Sequence, residues 1–265
     1  MTSMDEIKRV DHSQWIPGLS NLLIKENRSW WRTRKWWANV LAWTVIINGL
    51  LAMMLWVVPV SNPEDIIPKD EALQIFFTIF ASFSTIGVIV IAQGSIVGEK
   101  QSGTAEWLMS NPVSPAAFIL SKLLGNAWGI FITIVLLQSA LFYGQISLRS
   151  EDPVALGPFV TATAIVCLSL VFYLTLTVML GSFFRSRGPV VGIALAVFIG
   201  QDIAAGLLSE FTPWLYEILP SRLNEYANMA VAGLSIPNTA PLIIAIVLSL
   251  FFSGTAIWRF SREEY

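Results

Sequence analysis

The stretch GEKQSGTAEWLMSNPVSPAAFILSKLLG, from Gly98 to Gly125, begins with a polar interruption between two long apolar runs. It lies about a third of the way along a chain of 265 residues that is 55% hydrophobic and 13% charged, with a mean hydropathy of +0.65. Ordinary soluble domains carry about 25% charged residues. The composition therefore predicts an integral membrane protein in which this interruption lies at the membrane surface between two spans.

Six apolar runs are long enough to cross about 30 Å of hydrocarbon as helices. A helix satisfies its own backbone hydrogen bonds in lipid, and the sequence has no alternating ten-residue pattern of a barrel. We therefore predict an all-α integral membrane fold with six transmembrane helices. The predicted spans are Ala38–Val60, Ala72–Val97, Ala116–Ser147, Ala155–Phe184, Pro189–Leu208 and Pro241–Trp258.

Lys and Arg are concentrated on one side of this six-span layout. With the N-terminus inside, only Lys69, Arg149 and Arg222 of the 16 Lys and Arg residues lie in outer segments. The positive-inside rule then assigns both termini and the Gly98–Pro115 interruption to the cytoplasm. We expect one transmembrane domain over residues 1–265, with a cytoplasmic or interfacial segment 1–37, a six-span bundle 38–258 and a cytoplasmic tail 259–265.

The segment RSWWRTRKWW, from Arg28 to Trp37, interleaves basic and aromatic residues before the first span. Such a pattern can bind nucleic acid by stacking and phosphate contact. The segment runs directly into a span, however, and Leu19, Leu22 and Trp30 fall near one helical face. We therefore predict a helix in the cytoplasmic headgroup layer and no nucleic-acid partner.

The interruption itself predicts a short, largely apolar helix. From Thr104 onward, apolar residues cover an arc of roughly 200° and leave a narrow polar edge. Pro112 ends this helix, and Ser114 with Pro115 supplies the N-cap and first turn of the next span. Part of the apolar surface has no evident partner within the chain. Two interpretations explain this surface equally well: an interfacial hairpin that rests on lipid headgroups, and an element that docks on a partner. The apolar residues are Ala105, Trp107, Leu108 and Met109.

The stretch IVGEKQSGTAEWLMSNPVSPAAFILSKLLG resembles a pattern in the membrane subunits of type 2 ATP-binding cassette (ABC) exporters. In that pattern an acidic residue, a Gly-Thr pair, a second acidic residue, a short apolar helix, a Pro and a later Lys-Leu pair follow the second span. The six-span layout resembles the family more loosely. In the family this element is the coupling helix, which docks on a separate ATPase subunit. The resemblance implies ATPase-coupling roles for Glu99, Gly103, Thr104, Glu106, Leu108 and Pro112.

The resemblance also implies a function and partners. It implies that the chain is a non-catalytic permease subunit of an ATP-driven exporter and that it is a multi-pass protein of the cell's inner (plasma) membrane. The implied partners are an ABC ATPase and a second permease subunit, which forms either a homodimer or a heterodimer with this chain. The sequence contains no G-x-x-x-x-G-K-S/T phosphate loop and no soluble segment large enough for a nucleotide domain. ATP and Mg are therefore expected on the partner ATPase, and no cofactor is expected on this chain.

Other function classes make distinct demands on the sequence. An intramembrane aspartyl enzyme would use Asp202, but no second Asp or Glu lies inside a predicted span, so we expect no catalytic residue. The single Cys167 and the single His12 leave no disulfide and no Cys or multi-His metal site.

A secondary transporter driven by an ion gradient would need paired intramembrane charges or broken helices in matched halves. A membrane assembly factor is a further alternative.

A stripe of neutral polar residues follows the second predicted span within an arc of about 100°. Such side chains either line a substrate path or form hydrogen bonds to the backbone of their own helix and to neighbouring helices. Asp202 is a further candidate for the path, or a solvated or hydrogen-bonded carboxylate with no role in transport. The stripe consists of Gln74, Thr78, Ser82, Thr85 and Gln93.

The outer segment from Ser209 to Thr239 predicts two short helices, the first beginning at Thr212-Pro213 and the second after Pro220-Ser221. The family resemblance implies that such helices cap the conduit from the outside. Interfacial anchoring explains the same pattern. The sequence does not identify the transported substrate.

Overall fold

The computed structural model describes residues 16, 18–61, 64, 66–110 and 113–263. In this part of the chain all regular structure is helical, and six helices are long and apolar enough to cross a membrane. The predicted all-α, six-span fold is confirmed. The helices are α1 Leu19–Trp31, α2 Trp36–Ser61, α3 Lys69–Gln101, α4 Thr104–Met109, α5 Pro115–Arg149, α6 Leu156–Phe183, α7 Arg187–Phe211, α8 Pro213–Tyr216, α9 Arg222–Val231 and α10 Ala240–Ser261.

The six long helices are α2, α3, α5, α6, α7 and α10. We call the end of the bundle at which α3 ends and α5 begins the inner end, and the opposite end the outer end. Short connections join most of the long helices, so neighbours in sequence run up and down the bundle.

Helix α6 lies at the centre of the bundle. Its sequence is apolar on all sides, as expected for a helix surrounded by other helices. Within its most apolar window 72% of the residues are buried, compared with 11% for α7. Helix α6 packs against α3, α5, α7, α9 and α10. The long helices α2, α7 and α10 therefore expose most of their apolar surface at the outside of this single chain.

Stacked aromatic rings fill the outer half of the core between α3, α5 and α6. Phe76 of α3 stacks on Phe142 of α5 with ring centroids 3.9 Å apart, and Phe159 of α6 packs edge-on against Phe77 at 5.3 Å. These side chains are buried. Aromatic pairs in such geometry stabilise beyond their buried area, so they fix α3 against its two neighbours.

A buried amide cluster joins α2 to α5 at irregular turns of both helices. The segments Thr44–Gly49 and Phe131–Leu136 have π-helical hydrogen bonding. Asn48 Nδ2 donates to Gln138 Oε1 at 2.8 Å, and Gln145 Nε2 donates to Asn48 Oδ1 at 3.1 Å. A buried amide in an apolar surrounding needs such partners, so the cluster fixes the register of the two helices. The sequence analysis did not identify it.

Helix α1 packs closely on the beginning of α5. A Cβ added at Gly125 would lie 2.7 Å from Glu26 Cβ, and one at Gly129 would overlap the Trp30 ring. Leu22 and Trp30 are buried in this contact. Glycines four residues apart let the two helices approach at short distance, as in many membrane-helix contacts. The predicted N-terminal helix is therefore present, and its position in the headgroup layer remains a prediction.

Two short helices, α8 and α9, stand in the outer segment, as the sequence predicted. Helix α9 buries Leu223 and Tyr226 against α3 and α6. Arg222 lies over the Tyr216 ring at 4.4 Å and forms an ion pair with Glu225. Burial lowers the pKa of the Arg222 guanidinium, but the nearby Glu225 and Tyr216 raise this pKa by more. The pKa therefore lies above its ordinary value. The role of these helices as a cap on a conduit remains a prediction.

Candidate functional site

The predicted coupling positions lie at the inner end, where α4 stands between α3 and α5. Gly103 has φ +71°, a left-handed conformation that glycine adopts without strain, and it turns the chain from α3 into α4. Ser114 Oγ accepts a hydrogen bond from the Ala117 amide at 3.1 Å and caps α5. The structure therefore contains the predicted short helix as a separate element. Pro112 lies outside the described residues.

The two faces of α4 differ sharply in exposure. Ala105 and Leu108 are buried against the bundle, with 7% of Leu108 exposed. Glu106 and Trp107 point away from the bundle, and Trp107 is 67% exposed. Leu108, which the resemblance placed among the coupling positions, thus packs against the chain's own core in this structure. The outward surface of α4 is formed by Glu106 and Trp107.

Thr104 is half-buried at the beginning of α4. Its Oγ1 lies 2.8 Å from Ser102 Oγ, so the two hydroxyls hydrogen-bond across the turn. Together with the left-handed Gly103 this contact fixes the direction in which α4 leaves α3. We assign Gly103 and Thr104 to shaping the turn.

A cluster of ion pairs lies near the end of α3 that leads into α4. The ammonium of Lys122, which is 4% exposed, pairs with Glu26 of α1 at 2.8 Å and with Glu99 of α3. Lys25 also pairs with Glu99, at 2.9 Å. A buried charge is tolerated only when it is paired, so this Lys122 cluster joins α1, α3 and α5. Glu99 therefore belongs to the interior of the inner end and not to its outward surface.

A second ionic contact fixes the last turn of α3. Lys100 Nζ pairs with Glu263 at 2.7 Å and donates to the Ser182 carbonyl at 2.6 Å. Gln101 Nε2 donates to the Arg185 carbonyl at 2.9 Å. The end of α3 is thus attached to the inner end of α6 and to the segment that follows α10.

The sequence analysis missed these pairings. The resemblance implies a coupling role for Glu99 and includes Lys122 in its later Lys-Leu pair, but it does not pair the two side chains with each other. One signal was present, because a Lys inside an apolar helix needs a carboxylate partner. The sequence could not say which carboxylate supplies it.

An inner cavity of about 570 Å³ lies beside the Lys122 cluster, between α1, α2, α3, α5 and α7. The sequence analysis did not predict this cavity. Helix α3 is interrupted here, since Lys69–Ala92 and Gly94–Gln101 are separate helical segments with Gln93 between them. The polar and charged side chains that line the cavity include Glu26, Gln93, Glu99, Lys122, Asn126 and Arg187.

The residues of the predicted polar stripe on α3 lie in different environments. Gln74 and Thr78 are exposed, Ser82 and Gln93 are half-buried, and Thr85 is fully enclosed within the chain. Thr78 Oγ1 donates to the Gln74 carbonyl at 2.9 Å and accepts from Asn228 Nδ2 of α9 at 3.1 Å. The structure therefore brings only Gln93 to the inner cavity, and it joins Thr78 to the outer helix α9.

Asp202 lies on an exposed side of α7. The neighbouring Gln201 Nε2 donates to Tyr173 Oη of α6 at 2.5 Å, which attaches α7 to the central helix. In the described part of the chain no three His, Cys, Asp or Glu side chains come together as a metal site would require. Asp202 is therefore separate from both the coupling element and the inner cavity.

Comparisons with known proteins match the chain to a family of membrane transporters. The model of the protein family described as "ABC-2 family transporter protein" matches residues 20–265. A curated relative, "Uncharacterized transmembrane protein YxlG" of Bacillus subtilis (strain 168), is 25% identical over 206 residues, which cover 72% of this chain and 74% of the relative. The family match includes the described helices from α1 to α10 almost completely.

Proposed function

The chain belongs to the ABC-2 transporter family, and we propose that it is the permease subunit of an ATP-driven exporter that couples to a separate ATPase subunit. It is an integral, multi-pass membrane protein with six apolar helices. The observation that carries the proposal is α4, a short helix between two spans that presents Glu106 and Trp107 away from the bundle.

The contacts near the end of α3 that leads into α4 support a mechanical role. An ATPase groove that covers an exposed Trp removes apolar surface from water, and aromatic residues are enriched in the centres of such interfaces. When ATP binding closes the ATPases, they would move α4 as a rigid body. The Lys122 cluster and the Lys100 contacts would carry that movement to α1, α3, α5 and α6. ATP and Mg would be bound by the ATPase and not by this chain.

A second permease subunit completes the proposed conduit. Helices α2, α7 and α10 bury only 22%, 11% and 22% of their most apolar windows inside this chain. Their remaining surface is apolar and is available to lipid or to another membrane subunit. We assign the conduit to the space between two permease subunits, either identical or different.

Polar residues on α3 and α7 are the candidates for the substrate path. Gln74, Thr78 and Asp202 are exposed side chains in otherwise apolar helices, so a second subunit could face them across water. Gln93 reaches the inner cavity. Thr85 is enclosed here, and it would line the path only after α3 separates from its neighbours.

Copurification tests the proposed function directly. Purification of the tagged full chain from its native membrane in mild detergent is expected to recover an ATPase that contains a phosphate loop, because α4 needs a docking partner. Membrane vesicles that contain the complex are expected to transport only when ATP is supplied. Transport that follows an ion gradient without any ATPase would instead establish the secondary-transporter alternative.

The inside orientation of the C-terminus and of the turn between α6 and α7 can be tested by cysteine labelling. In a Cys167→Ser background, single cysteines at Ser186 and Ser261 are expected to resist an impermeant thiol reagent in intact cells, because the inner segments hold most of the Lys and Arg. Single cysteines at Ser61 and Ser150 are expected to react. Permeabilised cells should label at all four positions. Reaction of the Ser186 variant in intact cells would reverse the topology.

A further inference from the structure

The inner cavity has the size of a ligand site, and two glycines of α3 line it beside Arg187. Its volume of about 570 Å³ falls within the roughly 300–1,000 Å³ of small-molecule pockets. A Cβ at Gly94 would lie 3.5 Å from the Arg187 guanidinium carbon, and one at Gly98 would lie 3.8 Å from an Arg187 nitrogen. Larger residues at these positions would extend into the space beside the guanidinium.

One side of the cavity is rich in hydrogen-bond acceptors. Lys122 is shared between the carboxylates of Glu26 and Glu99, and the second oxygen of Glu99 is buried without a hydrogen-bond partner in the described structure. Gln93 and Asn126 use their amide nitrogens for the Val90 and Lys122 carbonyls, at 3.0 and 2.8 Å. Their side-chain oxygens remain as acceptors. Lys122 and Lys25 balance the charges of the two carboxylates, so this wall favours a group through its N–H donors.

The other side of the cavity carries an unpaired cation. Arg187 stands at the first turn of α7 and is exposed, and no described carboxylate forms an ion pair with it. A guanidinium offers five N–H donors in a fork that matches a phosphate. The cavity therefore combines an acceptor wall for N–H donors with a donor for an anion.

An apolar strip leads from the cavity along α3 towards the middle of the bundle. Val90, Ile86 and Phe83 are exposed, and their spacing of four and three residues places them on one face of the helix. Gln93 and Gly94 continue this face at the cavity. A ligand with its polar end in the cavity would thus have an apolar surface for its tail.

From these features we propose that the inner cavity binds a phospholipid with an ethanolamine headgroup. Its phosphate pairs with Arg187, its primary ammonium lies against the acceptor wall, and one acyl chain lies along Phe83, Ile86 and Val90. A choline headgroup lacks the N–H donors, and a glycerol headgroup offers only its hydroxyl donors. This binding site goes beyond the proposed export function and does not depend on ATPase docking.

Photo-crosslinking of the full chain tests the site. The purified protein is placed in nanodiscs of phosphatidylcholine that contain a phosphatidylethanolamine with a diazirine on its acyl chain. Cross-links are expected on the face of α3 that contains Ile86 and Val90. Arg187→Gln removes a charge-assisted hydrogen bond and is expected to reduce labelling about tenfold. Gly94→Leu fills the cavity and is expected to reduce it at least as much.

Matched variants separate loss of binding from loss of folding. Arg185→Gln removes a nearby exposed arginine, and Gly192→Leu adds the same side chain at a glycine of α7 with open space around it. Both are expected to label like the unmodified protein. Thermal unfolding should be unchanged in Arg187→Gln, which breaks no ion pair in the described structure, so this variant decides the outcome if Gly94→Leu folds poorly.

Competition identifies the headgroup. Unlabelled phosphatidylethanolamine is expected to displace the probe, while phosphatidylglycerol is expected to compete at least about tenfold less well because it offers no ammonium. Equal competition by phosphatidylglycerol would overturn the proposed headgroup specificity. Labelling of a folded Arg187→Gln protein at the unmodified level would overturn the site itself.

Discussion

Lys122→Met is expected to destabilise the protein strongly. The ammonium of Lys122 is 4% exposed and is the cation between Glu26 and Glu99. Its removal leaves two largely buried carboxylates close together with only the exposed Lys25 nearby. Breaking a buried ion pair by removing one partner costs about 3–5 kcal/mol. The measurement is the thermal unfolding temperature of the purified chain in detergent, together with its yield.

Two control variants test whether the loss of stability comes from the unpaired buried carboxylates. Lys25→Met removes a cation that is 46% exposed, so it is expected to cost less than about 1 kcal/mol. A triple variant that adds Glu26→Gln and Glu99→Gln to Lys122→Met leaves no uncompensated buried charge, since Lys25 is exposed, and it is expected to recover most of the lost stability. If Lys122→Met and Lys25→Met unfold at the same temperature, the Lys122 cluster does not hold α1, α3 and α5 together.

The spans could be predicted from the sequence because their signals are local. Length and apolarity alone identify a membrane helix, and the predicted span Ala116–Ser147 corresponds to α5, Pro115–Arg149. The cap at Ser114 was also predicted, since Ser before Pro is a local signal for the beginning of a helix. The same reasoning placed two short helices in the outer segment.

The sequence could not predict which face of α4 belongs to its own bundle. Its apolar residues cover about 200° of the helix, which is wide enough to pack against the chain and to present a surface to a partner. Periodicity therefore left Leu108 and Trp107 equivalent. Only the packing of the folded chain separates them, with Leu108 buried and Trp107 exposed.

The polar clusters also depend on pairings between distant segments. Asn48 and Gln138 are 90 residues apart in sequence, and Lys122 and Glu26 are 96 apart. Each residue alone reads as a polar side chain within or beside an apolar run. The inner cavity arises in the same way, because five helices contribute to its walls. No local pattern encodes such an arrangement.

Replacing Glu106 and Trp107 together by Ala is expected to release the ATPase and to abolish transport while the six spans remain folded. Both side chains are exposed on the outward face of α4. Truncation of an interface Trp at a docking centre costs about 2 kcal/mol or more, which corresponds to roughly 30-fold weaker docking. The readouts are the amount of ATPase that copurifies, ATP-dependent transport in vesicles, and the thermal unfolding temperature, which should not change.

Leu108→Ala is the matched control, because it lies one residue further on and faces the opposite way. Leu108 is buried, so this variant is expected to lower stability by about 2–5 kcal/mol through the cavity it creates. Below its unfolding temperature it should still retain the ATPase. Release of the ATPase by Leu108→Ala at unchanged stability would mean that α4 rotates on docking and that Leu108 contacts the partner. A double Glu106, Trp107 variant that retains the ATPase and transports normally would remove α4 from the coupling mechanism.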